Sequence, residues 1–402
     1  MLVFPPAFQH RNFRLFWTAN ATSLIGTLAQ DAARGWLVRS LTKDPFQVSA
    51  IAACTSLPVL LFTLYAGAVA DQIDKRRGLI ITNVMALVLA SLLWALTFLK
   101  VITVPQVAIL SLLAGVVNAF DIPIRQSMNI EMVGRKDLPN AIALNSTAFN
   151  GARVLGPAVG GLLIKFVGTA GCFFVNALSF VPLIWNLRRM DLEHVAEPDK
   201  KTVGFEDIRE GFCFVRLHPT LWPLILLVAV SSVFAFSYGN LLPIFAKDVF
   251  FTDEGGYSAL LSSAGAGSLG AAAQLALSGR MGHKGRRLFG GAFGFCASIA
   301  AFAFAPSLVP ACVCLFAGGY CLLTFLTTAN TLVQTTAPDE LRGRVFSLYS
   351  LALVGTSPIG ALWVGKAAQL LGARVAVGLG VALALAWTLW TLMANPQLRA
   401  VD

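Results

Sequence analysis

Charge is scarce in these 402 residues: Asp, Glu, Lys and Arg make up only 12%, about half the share in a soluble globular protein. With 56% of the chain hydrophobic, there is far more apolar sequence than a soluble core can use, which excludes a soluble fold. Acidic residues are the scarcer sign, 20 against 30 basic, leaving a net charge of +10. Such an excess suits nucleic acid when it gathers into a patch. Here the cations stand in short segments between long apolar runs, so no nucleic-acid partner is expected. Histidine is rare, and His10, His194, His218 and His283 all fall in tails or loops. The seven cysteines lie mostly inside apolar runs without metal-ligand spacing, and Cys312-x-Cys314 would point to opposite sides of a helix. There is no phosphate-binding glycine loop and no nucleophile–base pairing. No enzyme activity, cofactor or metal is therefore expected, nor is ATP-driven pumping.

What is present is a series of apolar runs of membrane length, about 20 residues each. Twelve can be counted, at roughly 13–38, 47–70, 78–99, 106–130, 141–165, 170–188, 221–246, 258–279, 288–305, 308–335, 344–370 and 374–395. The first is a full span with no small-residue cleavage site, so no cleavable leader is expected. The composition predicts an all-α polytopic membrane protein in two six-helix bundles, 1–189 and 220–402. A polar linker over 190–219 joins them. Within the linker Phe205, Ile208, Phe212 and Val215 recur at helical spacing, which predicts an amphipathic helix on a membrane surface or a solvated linker helix.

Between the second and third runs stands Gly67-Ala-Val-Ala-Asp71-Gln-Ile-Asp74-Lys75-Arg76-Arg77. Its charges need water, and its three adjacent cations place it on the cytoplasmic side. With both termini inside, twenty cations fall on that side and seven on the other, which sets the orientation. Gly279-Arg-Met-Gly-His283-Lys284-Gly-Arg286-Arg287 takes the same place between spans 8 and 9, without the aspartates. Asp137-Leu138 after span 4 is echoed by Glu340-Leu341 after span 10. This internal repeat puts a substrate cavity between two related halves, as alternating access requires.

Ionised groups inside spans are expensive and are candidates for function. Asp31 and Arg34 sit in span 1, about 27 Å along the helix from Phe13 at 1.5 Å per residue. Asp31 is either a proton-coupling carboxylate or half of a fixed ion pair. Arg153 lies near the middle of span 5, facing an anionic substrate group or a structural counter-ion. Asp121 and Arg125 share one face of span 4 at i, i+4. Gly156-Pro157 and Gly160-Gly161 in span 5 permit close helix packing and a bend.

The loop pattern G-x-x-x-D-x-x-D-K-R-R resembles the loop between helices 2 and 3 of the major facilitator superfamily, with Gln72 and Asp74 departing from it. Ile25-Gly26-Thr27, Gln30, Trp36-Leu37-Val38, the run Asn118–Gly161, Asn176–Phe180 and Pro243–Asp248 resemble its branch of enterobactin exporters and macrolide-efflux proteins. The resemblance implies the major facilitator fold and proton-driven export of a small amphipathic molecule, siderophore or drug-like, across a bacterial inner membrane. Protons, the small molecule and the lipid bilayer are the partners implied, with a monomer expected. It also implies a conformational latch of Gly67, Asp71, Lys75, Arg76, Asp121 and Arg125. In it Asp121 would pair with Lys75 or Arg76, and Asp71 would cap a helix of the other half. The glycine–proline stretch of span 5 resembles an antiporter motif. An uptake symporter of the same fold and an uncoupled channel are the alternatives.

Overall fold

The structure, a computed structural model, describes residues 5–190, 205–278, 283–338 and 341–399, and no strand occurs among them. We number the helices α1 (Arg11–Leu41), α2 (Pro45–Gln72), α3 (Lys75–Phe98) and α4 (Val104–Gly134). A helical stretch over Lys136–Arg189 follows, 54 residues long. It is too long for one crossing and is divided at Gly168 into α5 (136–167) and α6 (169–189). Then come α7 (Phe205–Leu217), α8 (Leu221–Val249), α9 (Glu254–Ser278), α10 (Lys284–Ala303), α11 (Leu308–Thr336), α12 (Gly343–Leu371), α13 (Ala373–Ala394) and the short α14 (Pro396–Arg399). Eight described segments are long and apolar enough to cross a membrane. The twelve apolar runs of the sequence fall on α1–α6 and α8–α13. Residue 279 of the eighth run lies outside the described residues, as do Gly279–Gly282 and Glu340 of the repeats.

Three of the reversals are built on glycine. Gly134, Gly168 and Gly372 have φ of 68°, 75° and 85° with ψ near 160–175°, a region essentially closed to residues with a Cβ. Each lets one helix stop and the next start within a residue or two.

The chain forms two compact units. One holds Met1–Thr42 and Cys54–Pro198, the other Lys43–Ala53 and Asp199–Asp402. The first turns of α2 thus belong with the second unit, where Gly365 of α12 sits against Ser49 and Phe46. In the first unit α1 and α3 lie along α4–α6. In the second, α11 lies against α9 and α10, and α13 against α10. Each has its own core, around Phe13, Phe16, Ile124 and Met128 in the first and Leu224, Phe289, Phe325 and Leu332 in the second. The outer surface is apolar too. Leu61, Phe98, Phe166, Val309 and Met393 are all more than 60% exposed, the pattern of a chain solvated by lipid rather than water.

Candidate functional site

The loop between α2 and α3 gives each of its charges a separate task. Asp74 is the N-cap of α3, its Oδ1 accepting from the Arg77 N–H at 3.0 Å. This satisfies one of the open donors of the first turn, so the aspartate that departs from the family pattern works as a helix cap. Arg77 itself is exposed. Lys75 turns inward, 7% exposed, and its Nζ meets Glu131 Oε1 of α4 at 2.7 Å. Both side chains are buried, so each is held by the other. Arg76 donates from Nε to the Leu187 carbonyl at 2.7 Å and from Nη2 to the Arg188 carbonyl. It thereby closes the last turn of α6, where open carbonyls and the helix dipole favour a cation.

Asp121 and Arg125 form a second cluster on α4. Asp121 is 8% exposed. Its Oδ2 accepts from Arg125 Nε at 2.8 Å and from Nη2, and its Oδ1 lies 2.7 Å from Thr82 Oγ1 and 3.1 Å from Asn83 Nδ2 of α3. The guanidinium stands over the Phe16 ring of α1, 5.7 Å from its centroid. The expected pairing of Asp121 with Lys75 or Arg76 is therefore corrected: the acid that meets Lys75 is Glu131. Ten residues of helix, roughly 15 Å, separate it from Asp121, and only Glu131 stands level with the loop. The Asp71 side chain lies outside the described residues, and a Cβ on Gly67 would meet nothing within 4 Å.

Asp31 and Arg34 pair on α1, Arg34 Nη2 to Asp31 Oδ1 at 3.1 Å, and Arg34 Nη1 donates to Thr55 Oγ1 of α2 at 2.8 Å. Arg34 is buried while the Asp31 carboxylate is 42% exposed within the chain. Behind the pair, α1 is clamped by small residues. A Cβ on Gly156 would lie 2.4 Å from Leu28 Cβ, and one on Gly160 2.7 Å from the Ala29 carbonyl. The backbones of α1 and α5 can approach this closely only through glycine. Asn176 of α6 donates to Gln30 at 2.9 Å and continues the clamp. Arg153 is half-buried on α5 and has an interaction partner of its own. Farther along α5, Pro157 is half-buried and Gly161, beside Gly160, is buried.

Several residues of this network were not singled out from the sequence. Glu131, Thr82 and Asn83 are among them, as are Asn129 and Asn145, which bond each other at 2.7 Å. His10 and Asp137 meet at 2.8 Å and Asn140 accepts from the Ala7 N–H at 3.0 Å, tying the N-terminal turn to the start of α5. Position along α4, not helical face, gives the one available signal. Glu131 follows Asp121 and Arg125 on α4 and is the last acid before the chain reverses at Gly134.

These features define a multi-pass membrane transporter with the major facilitator fold. The family model described as transmembrane secretion effector matches residues 3–402, and the chain belongs to that family. It is 28% identical to the multidrug efflux pump Tap of Mycolicibacterium fortuitum over 382 residues, 91% of each chain. It is 22% identical to the enterobactin exporter EntS of Shigella flexneri, over 89% of this chain and 85% of that one. Among solved structures it superposes on the nucleoside transporter NupG with a TM-score of 0.71, at 12% identity, over 98% of this chain and 100% of that one. A bacterial homologue of the iron transporter ferroportin gives 0.69 at 18% identity, over 97% and 99%. These last two likenesses carry the fold.

Proposed function

We propose that the protein exports a small amphipathic molecule across a bacterial inner membrane by proton antiport, with alternating access and both termini cytoplasmic. Asp31 is the proton-coupling carboxylate, with Arg34 and Arg153 offering positive charge to the cavity. The observation that carries the reading is the intramembrane Asp31–Arg34 pair, with its acid half open, in a chain similar to proteins named as efflux pumps and a siderophore exporter. A coupling carboxylate must reach water in at least one state, and a fixed ion pair on α1 is the second reading of the same contact. Lys75, Arg76, Asp121 and Arg125, with Gly67 and Asp71, form the latch of one conformation. Glu131 joins them as the anion that holds Lys75.

The test uses inverted membrane vesicles energised to an acidic interior and a pH-sensitive dye. A panel of amphipathic drugs and siderophores is added, and export is read as substrate-dependent loss of the gradient. Asp31→Asn is expected to abolish that signal and leave substrate binding to the purified protein largely intact. Wild-type proton release in Asp31→Asn overturns the role of Asp31. Accumulation only in right-side-out vesicles would make the protein an uptake system. Cysteine labelling from outside, failing at position 76 and succeeding at position 253, checks the orientation.

A further inference from the structure

An apolar cavity of about 170 Å³ opens in the second unit among α7, the start of α8 and the middle of α12. Phe212, Val215, Trp222, Ile225, Leu348 and Ala352 line it. Thr356 also lines it, but its hydroxyl is already 2.8 Å from the Ala352 carbonyl and is not offered to an occupant. The wall presents no polar surface. Water needs two to four polar partners to stay in such a space, and a drug-like or siderophore ligand needs a few convergent polar groups to be oriented. Neither finds them here. What the wall suits is an aliphatic chain.

Two further observations say which kind. The α12 side of the cavity is a π turn, Leu351–Gly355, a widened turn that recurs at functional sites. It is held open from across the unit, where Ser232 Oγ of α8 donates to the Leu353 carbonyl at 2.8 Å. On α7 an exposed cation stands next in the chain to a lining residue. Arg216 is exposed and adjoins Val215, and Arg344, one turn before Leu348, pairs with Glu210 and so fastens α7 to α12. Next to Arg216, Leu217 is 84% exposed. Bare apolar residues beside a cation on a short amphipathic helix belong at the level of lipid headgroups.

We propose that this cavity is a phospholipid site: one acyl chain enters between α7, α8 and α12, and an anionic headgroup meets Arg216. The lipid would then bridge the linker helix to the π turn of α12.

Trp222 stands in the wall and reports occupancy. The full chain is placed in nanodiscs containing phosphatidylglycerol or phosphatidylcholine brominated on the acyl chains. Subtracting the Trp222→Phe signal isolates this residue from the other seven tryptophans. Brominated phosphatidylglycerol should half-quench Trp222 at about a fivefold lower mole fraction than phosphatidylcholine, the enrichment one interfacial cation gives. Arg216→Gln, an exposed change that leaves packing intact, should erase that difference. Ala352→Met, which fills the cavity, should remove the quenching for both lipids. Equal quenching by the two lipids in the wild type overturns the proposal, as does a headgroup difference that survives Arg216→Gln. Quenching relieved by an amphipathic drug but not by unbrominated phosphatidylglycerol would assign the cavity to a transported compound, and overturns it too.

Discussion

In the first unit α3 starts at Lys75 behind Asp74, an extended residue whose side chain caps the helix. In the second, α10 starts at Lys284 behind His283, which has φ 56° and gives no side-chain cap. The two segments hold corresponding places in the internal repeat, yet they are secured by different physics. Lys75 is buried against Glu131 and Arg76 closes the end of α6. Lys284 is only half-buried, and the close contact is made by Gly285. A Cβ there would lie 2.3 Å from the carbonyl of Arg399 in α14. One half is tied down by charge, the other by backbone packing. A helix start held by a breakable ion pair can be released and re-formed, whereas one packed backbone to backbone is a fixed support. That contrast fits a division of labour in which the first unit carries the proposed latch.

The largest expected effect comes from breaking the charged side. Glu131→Ala leaves Lys75 buried without a counter-ion, which costs about 3–5 kcal/mol. Adding Lys75→Met to that variant should return most of the loss, because the unpaired charge, not the missing contact, is what costs. Lys284→Met in the second unit should change stability by less than about 0.5 kcal/mol, as for an ordinary surface change. Thermal unfolding of the detergent-solubilised protein measures all three. If the double variant is no more stable than Glu131→Ala, the pair does not secure the loop.

Much of the first unit's layout could be read in the residues, because apolar length and loop charge are direct consequences of solvation in lipid. The pairing within it could not. The family resemblance points to Asp121 as the partner of Lys75 or Arg76, but depth along α4 puts Glu131 at Lys75, and Arg76 goes to the Leu187 and Arg188 carbonyls. The cap at Asp74 looked like a departure and is a functional substitution. Nothing in Ser231–Ala235 or Leu351–Gly355 marks a π turn, because such a turn is set by packing across helices rather than by composition. The same holds for the first turns of α2, whose partners lie some 300 residues away on α12.

The packed side is broken by a single methyl group. Gly285→Ala drives a Cβ into the Arg399 carbonyl, a backbone atom with little freedom, and should cost about 1–3 kcal/mol. Gly78→Ala at the start of α3 meets the Cδ1 of Ile73 at 2.8 Å, the far end of a flexible side chain, and should cost under about 1 kcal/mol. The ratio of the two, read from the same unfolding transition, sharpens the comparison. Equal costs would mean that α14 yields as easily as a side chain and that the second unit is not the more rigidly packed.

The most local effect concerns how helices are capped in the two units. Where α3 uses the Asp74 carboxylate, the N-terminus of α8 uses an imidazole: His218 Nδ1 accepts from the Thr220 and Leu221 N–H groups at 3.2 and 3.4 Å. Only the neutral ring can accept there, and burial holds the His218 pKa below the usual histidine value. A histidine lowered on folding contributes stability that is fully present above the unfolded value, about 6.5, and is lost as pH falls through the lower folded value. The loss should reach the scale of one helix cap, about 1 kcal/mol. Hydrogen exchange at the Thr220 and Leu221 amides, corrected for intrinsic rates, should lose protection between about pH 7.5 and pH 5. His218→Asn offers a carboxamide acceptor without a proton to gain, so its protection should stay flat over that range while the Arg77 amide behind Asp74 serves as the internal reference. Protection in the wild type that does not change with pH would show that the cap does not depend on the neutral imidazole, and would leave α8 and α3 capped on equal terms.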